Sequence, residues 1–161
     1  MKKIVVLFLL FPSVILAQDE FSLIEKVESL LSGSVPTVST TEVQNWTNAH
    51  VLDAREKAEF EVSHLPNAVY VGDKTFKLSS VEQLSRNDTL IVYCTVGYRS
   101  ERVGEKLKAA GFKNVYNLFG GIFSWKNNGG KVVDSAGKPT EKVHCYNQVW
   151  SIFLTEGEKV Y

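Results

Sequence analysis

One short stretch of the chain combines residue types that can carry covalent chemistry: Cys94-Thr95-Val96-Gly97-Tyr98-Arg99-Ser100. Cysteine attacks as its thiolate, a form favoured by converging N–H donors and positive charge. Gly97 gives the backbone freedom for a tight curl, and Arg99 adds a permanent positive charge at the rim. The stretch follows Thr89-Leu90-Ile91-Val92-Tyr93, β-branched and apolar on both faces, which reads as a strand covered on both sides. It leads into a helix over residues 99–110, where Val103, Leu107 and Ala110 recur at helical spacing and Gly111 closes the run. A cysteine at such a junction lies at the carboxyl end of a strand, where open α/β sheets bind ligands. The helix N-terminus behind it leaves N–H groups without partners and carries positive partial charge. A tight loop feeding that terminus can turn several amides inward as a cup for an anion.

The elements that must position this loop alternate in type along the chain. Phe21, Ile24, Val27, Leu30 and Leu31 mark a short amphipathic helix ending near Gly33, and Ser34-Val35-Pro36 connects it onward. Thr40-Thr41 with Glu42 predicts a capped helix through Asn48. Val51-Leu52 reads as a strand ending at Asp53, residues 68–71 as another, and residues 79–84 as a capped helical turn. Val115-Tyr116 is a further strand, and Gly120-Gly121 opens a helix through Trp125 that stops at Asn127-Asn128-Gly129-Gly130. Short strands alternating with helices predict an α/β domain with a mainly parallel central sheet flanked by helices on both faces. The tail is less periodic: a loop over residues 134–139, then an apolar cluster over residues 147–154 with Trp150 and Phe153, expected to pack back on the domain.

With 161 residues, 44% hydrophobic and 22% charged, the chain has the size and composition of one globular domain plus extensions. Its start has the layout of a secretory leader: basic Lys2-Lys3, apolar residues 4–11, Pro12-Ser13, then Val14-Ile15-Leu16-Ala17 before Gln18. Cleavage near Ala17 predicts an exported chain, periplasmic or secreted. A spanning helix needs about 20 apolar residues, and Pro12-Ser13 breaks a shorter run, so no membrane span is expected in the mature chain. Losing Lys2 and Lys3 leaves 16 basic against 18 acidic residues. With no basic stripe, nucleic acid is not an expected partner. Export also permits a disulfide between Cys94 and Cys145, and spacing alone leaves that open against a free working thiol. The surroundings of Cys94 favour the working thiol. Cys145, in His144-Cys145-Tyr146, lacks those features and is expected to pack. His50, His64 and His144 show no metal-ligand spacing.

The Cys94 stretch resembles the active-site loop of the rhodanese family, Cys-x-x-Gly-x-Arg-Ser. Asp53-Ala54-Arg55 resembles the family's Asp-x-Arg, and Glu59-Phe60-Glu61-Val62-Ser63-His64-Leu65-Pro66-Asn67-Ala68 its Glu-(Phe/Tyr)-x-x-Gly-His-Ile-Pro-Gly-Ala. Leu118-Phe119-Gly120-Gly121-Ile122-Phe123-Ser124-Trp125 is similar to its Leu-x-Gly-Gly-x-x-x-Trp. Ser63 and Asn67 stand where the family usually has glycine, and Asn tolerates the same turn conformations. The resemblance covers a rhodanese-like domain over residues 35–133; outside it the chain divides into a leader over residues 1–17, a helical extension over 18–34 and a C-terminal extension over 134–161. It further implies double displacement: Cys94 takes the sulfane sulfur of thiosulfate or a related small anionic donor as a persulfide, then yields it to cyanide, a thiol or a protein thiol. Thr95, Val96, Gly97, Tyr98, Arg99 and Ser100 would hold the persulfide, with Arg99 attracting the donor. Asp53 and Arg55 would brace the site, and no metal or organic cofactor is required. Two rivals share this fold. A phosphatase or arsenate reductase uses a Cys-x5-Arg loop, one residue longer than the spacing between Cys94 and Arg99. A persulfide carrier or binding module would show little small-molecule turnover.

Overall fold

The computed structural model describes residues 23–161. The expected leader, its cleavage near Ala17, and Phe21 lie outside the described residues. Helix α1 covers residues 23–28, burying Leu23 and Val27, and Leu30 and Leu31 pack on the same cluster beyond it. Strand β1 (Thr37–Val38) is followed by α2 (Thr40–Gln44), β2 (Ala49–Asp53), α3 (Lys57–Val62) and β3 (Val69–Tyr70). A 3₁₀ turn (Leu78–Val81) leads to β4 (Thr89–Tyr93), α4 (Tyr98–Ala109), β5 (Asn114–Leu118) and α5 (Gly121–Asn127). Strands β1 to β5 form one sheet in the order β1-β5-β4-β2-β3, every neighbouring pair parallel.

Strand β4 shows how the sheet sorts its side chains. Successive residues point to opposite faces, so Ile91 and Tyr93 enter one apolar cluster, while Leu90, Val92 and Cys94 enter the other. Leu118, Ile122 and Phe123 join the first cluster, with Leu23 and Val27 of α1. Val103 and Leu107 of α4 cover the second. The expected parallel sheet with helices on both faces is the architecture observed, and Cys94 continues the α4 side of the central strand.

Helix α2 differs from expectation at both ends. It is capped by Ser39, not by Thr40-Thr41: the Glu42 amide donates to Ser39 Oγ at 3.3 Å, and the Ser39 amide donates to the Glu42 carboxylate at 2.8 Å. That reciprocal box fixes the start. The helix ends at Gln44 rather than Asn48 because β2 takes over at Ala49, in register with Thr89 of β4. In the turn at Leu65-Pro66-Asn67, Asn67 holds φ +61°, the left-handed conformation asparagine tolerates.

The tail folds back on the domain. β6 (Val132–Val133) and β7 (Pro139–Thr140) form an antiparallel hairpin. β8 (Lys142–His144) pairs in parallel with β9 (Glu158–Val160), and α6 (Gln148–Ser151) lies between them in sequence. Val143, Cys145, Phe153 and Leu154 are buried in the same cluster as Tyr93 and Ile122. Cys94 and Cys145 are both free thiols, so no bridge joins them. Burial pushes the Cys145 thiol up from its ordinary range, which keeps it protonated and inert.

Candidate active site

The chain leaves β4 at Tyr93 and curls through Cys94 to Gly97 before α4 begins at Tyr98. Gly97 adopts φ +112°, a conformation that strains any residue with a Cβ. The curl aims the Gly97 amide at the Cys94 sulfur, at 3.2 Å. Behind the loop, Asn117 of β5 holds it shut: its Nδ2 donates to the Gly97 carbonyl at 2.9 Å, and the Ser100 hydroxyl donates to its Oδ1 at 2.7 Å. Helix α5 grips the other side. The Cys94 carbonyl accepts from the Ile122 amide at 2.9 Å and the Thr95 carbonyl from the Phe123 amide at 3.3 Å. The approach is so close that a Cβ at Gly121 would run into both carbonyl oxygens.

Cys94 is 1% exposed and lines a cavity of about 250 Å³ together with Thr95, Val96, Tyr98 and Arg99. Ser100 is not part of that lining; its side chain is a brace beneath the loop. Arg99 corrects a second expectation, because it is not an unpaired rim cation. Its Nη1 donates to Glu59 Oε2 at 2.7 Å, and its Nη2 donates to Glu59 Oε1 at 2.9 Å and to Thr95 Oγ1 at 2.8 Å. The Thr95 hydroxyl in turn donates to Glu59 Oε1 at 3.1 Å. Burial works against the Arg99 charge, but the Glu59 hydrogen bonds and the adjacent Cys94 sulfur outweigh it, and the guanidinium is held above its ordinary value.

Glu59, which stands in the sequence only as the first letter of a motif, is the partner of Arg99 in this site. It starts in the first turn of α3, where its carboxylate accepts the Glu56 amide at 2.9 Å. Burial alone would push its carboxyl up. The Arg99 bonds and charge, with the Glu56 amide and Arg55, hold it below the ordinary value of 4.5. The variant Glu59→Gln keeps the outline and loses the charge, and it is expected to cost about 1–3 kcal/mol of stability at neutral pH, read from urea midpoints. Because the folded carboxyl titrates below its unfolded value, its contribution is whole above pH 4.5 and is lost as pH falls through the lower folded value. The gap between wild type and variant therefore closes in acid. A gap of constant size would assign the loss to packing instead.

Asp53 and Arg55 form a second, deeper pair with both side chains fully buried. Arg55 Nη2 donates to Asp53 Oδ2 at 2.7 Å and to the Ser63 carbonyl at 2.6 Å, and Arg55 Nε donates to Asp53 Oδ1 at 3.0 Å. The Tyr93 hydroxyl donates to Asp53 Oδ2 and accepts the Leu65 amide. Burial, with the Asp53 charge beside it, pushes the Tyr93 phenol well above its ordinary value, so it stays a donor. Neither Asp53 nor Arg55 lines the cavity; they tie β2 to β4 and to the turn after α3. His64 stacks on Phe60, with Nδ1 at 3.0 Å from the Phe60 carbonyl.

The cavity's outer wall lies outside the motifs. Tyr146 and Trp150, from the C-terminal extension, line it together with the loop residues. The Tyr146 ring lies 5.2 Å from the Arg99 guanidinium. Among the described residues, no group of three or more His, Cys, Asp and Glu side chains could hold a metal ion, and no helix is long and apolar enough to cross a membrane.

Residues 39–128 match the family of rhodanese-like domains. The tRNA uridine(34) hydroxylase of Buchnera aphidicola is 32% identical over 89 residues, which are 52% of this chain and 28% of that protein. The adenylyltransferase and sulfurtransferase UBA4 of Candida albicans is 33% identical over 93 residues, 53% of this chain and 21% of that protein. The chain thus spans less than a third of the length of either relative. Among solved structures, the rhodanese-like domain of the Alr3790 protein from Anabaena superposes with a TM-score of 0.57 at 20% identity. That match covers 62% of this chain and 79% of the other, and it shows the shared fold.

Proposed function

We propose, from the premise that this chain belongs to the family of rhodanese-like domains, that it is a sulfurtransferase working through a Cys94 persulfide. Its donor is thiosulfate or a related sulfane anion and its acceptor cyanide or a thiol, in the exported location that the leader implies. The observation that carries the reading is the Gly97 amide aimed at a cavity-lining cysteine sulfur at 3.2 Å, at the junction of the central strand and α4. What the hydroxylase and the sulfurtransferase share with this chain is the domain, so the chemistry of that domain carries over rather than either whole activity.

The Cys94 thiolate attacks the outer sulfur of thiosulfate. The sulfur–sulfur bond breaks, its electron pair leaves on sulfite, and Cys94 keeps a persulfide. An acceptor thiolate or cyanide then attacks the terminal sulfur and returns the Cys94 thiolate. Negative charge stays near the loop throughout, where the Gly97 amide and the α4 N-terminus are fixed in place and need no reorganisation. Lys74 and Arg102 on the cavity lining draw anions toward it. The engagement of Arg99 by Glu59 argues against phosphoryl chemistry, since a tetrahedral oxyanion at Cys94 would lack the guanidinium it needs.

Exposure of the full chain to thiosulfate should add the mass of one sulfur atom to Cys94, and cyanide should remove it with release of thiocyanate. Turnover should follow ping-pong kinetics. A chain that gains no sulfur from thiosulfate or any other sulfane donor would overturn the assignment. Fast thiocyanate formation marks an enzyme, whereas a long-lived adduct with slow turnover marks a carrier.

A further inference from the structure

We infer that Tyr146 and Trp150 make the Cys94 cavity selective for organic sulfane donors. Such a donor carries one negative charge on an apolar carbon body, as thiosulfonates and hydropersulfides do, and it would be favoured over thiosulfate. This inference rests on the sulfurtransferase reading and names its substrate class. Both residues lie beyond residue 128, where the family match ends, so the wall belongs to this chain's own extension.

The wall is built rather than incidental. Tyr146 is held at φ +65°, in the left-handed region that a bulky residue rarely adopts. Its amide donates to His144 Nδ1 at 3.0 Å, and the Cys145 amide donates to the Val160 carbonyl at 2.8 Å, pinning the chain on both sides of that conformation. The Tyr146 ring is thereby set against Arg99, although the residue is 53% exposed. Trp150 is fixed by the Asn147 side chain, which accepts its amide at 3.1 Å, and by contact with Phe153.

Size and charge point the same way. The cavity of about 250 Å³ has the volume of several water molecules, more than the five non-hydrogen atoms of thiosulfate fill. Glu59 cancels Arg99, and Asp73, Lys74 and Arg102 leave one excess positive charge, which the Cys94 thiolate balances. A dianion brings two surplus charges into a cavity lined by Tyr98, Tyr146 and Trp150, where its lost hydration is not replaced. A monoanion with an apolar body brings half that surplus and buries its carbon against the rings. With a thiosulfonate, the Cys94 thiolate attacks the outer sulfur and the sulfur–sulfur bond breaks. The sulfinate leaves with the electron pair, and the persulfide retains the second negative charge.

The test compares kcat/KM for benzenethiosulfonate, methanethiosulfonate and thiosulfate at one fixed acceptor, using the full chain. The wild type should favour benzenethiosulfonate over both other donors. In Tyr146→Ala and in Trp150→Ala, the ratio of benzenethiosulfonate to thiosulfate efficiency should fall about tenfold. An unchanged ratio in both variants would overturn the inference. So would equal wild-type efficiency for the methane and benzene compounds, a result that needs no variant to fold. Sulfur gain at Cys94 from thiosulfate separates the two proposals: gain with an unchanged ratio removes only the selective wall, and no gain from any donor removes sulfur transfer itself.

Discussion

Cys94→Ser eliminates sulfur transfer, lowering turnover by roughly a thousandfold or more, because no covalent intermediate can form without the thiolate. The variant should take up no sulfur mass from any donor while unfolding close to wild type, since serine nearly matches the outline of cysteine. Cys145→Ser is the matched control. It buries a hydroxyl in an apolar cluster where the thiol has only a weak contact, 3.6 Å to the Val143 carbonyl. It should cost about 1–2 kcal/mol of stability and retain most of the transfer rate. Steady-state rates and intact masses on both variants decide the matter. Equal loss in both would replace the persulfide route with a two-cysteine redox cycle.

The second large effect concerns stability. Arg55→Met removes one partner of the fully buried pair with Asp53 and leaves a carboxylate inside the sheet with no cation against it. Losing one partner of a buried pair costs about 3–5 kcal/mol, a large part of the stability of a domain this size. The urea midpoint should fall accordingly. The Ser63 carbonyl loses its donor in the same step, so the turn carrying His64 and Leu65 should lose protection against amide hydrogen exchange first. A loss below about 1 kcal/mol would show that the pair behaves as though solvated.

The strand–loop–helix around Cys94 was legible because each part writes its own pattern: a run apolar on both faces, a glycine at the curl, then helical periodicity closed by Gly111. The α2 boundary was not, since the pairing of Ala49 with Thr89 that ends the helix is a tertiary event that local propensity does not record. Glu59 was visible only as the first letter of a motif; its meeting with Arg99 spans 40 positions of sequence. Reading Arg99 as a free charge followed directly from missing that partner. Tyr146 and Trp150 sit in a tail with little periodicity, and nothing in their spacing tells where such a tail lands.

The grip of α5 on the nucleophile loop has a consequence for what the sulfur encounters. The carbonyl oxygens of Cys94 and Thr95 are occupied by the amides of the buried Ile122 and Phe123. Peptide planes flanking the thiol are thereby locked by a helix that takes no part in lining the cavity, and their electron-rich ends face away from it. A bare thiol and one bearing an extra atom meet the same scaffold, so loading and unloading should proceed without a conformational step.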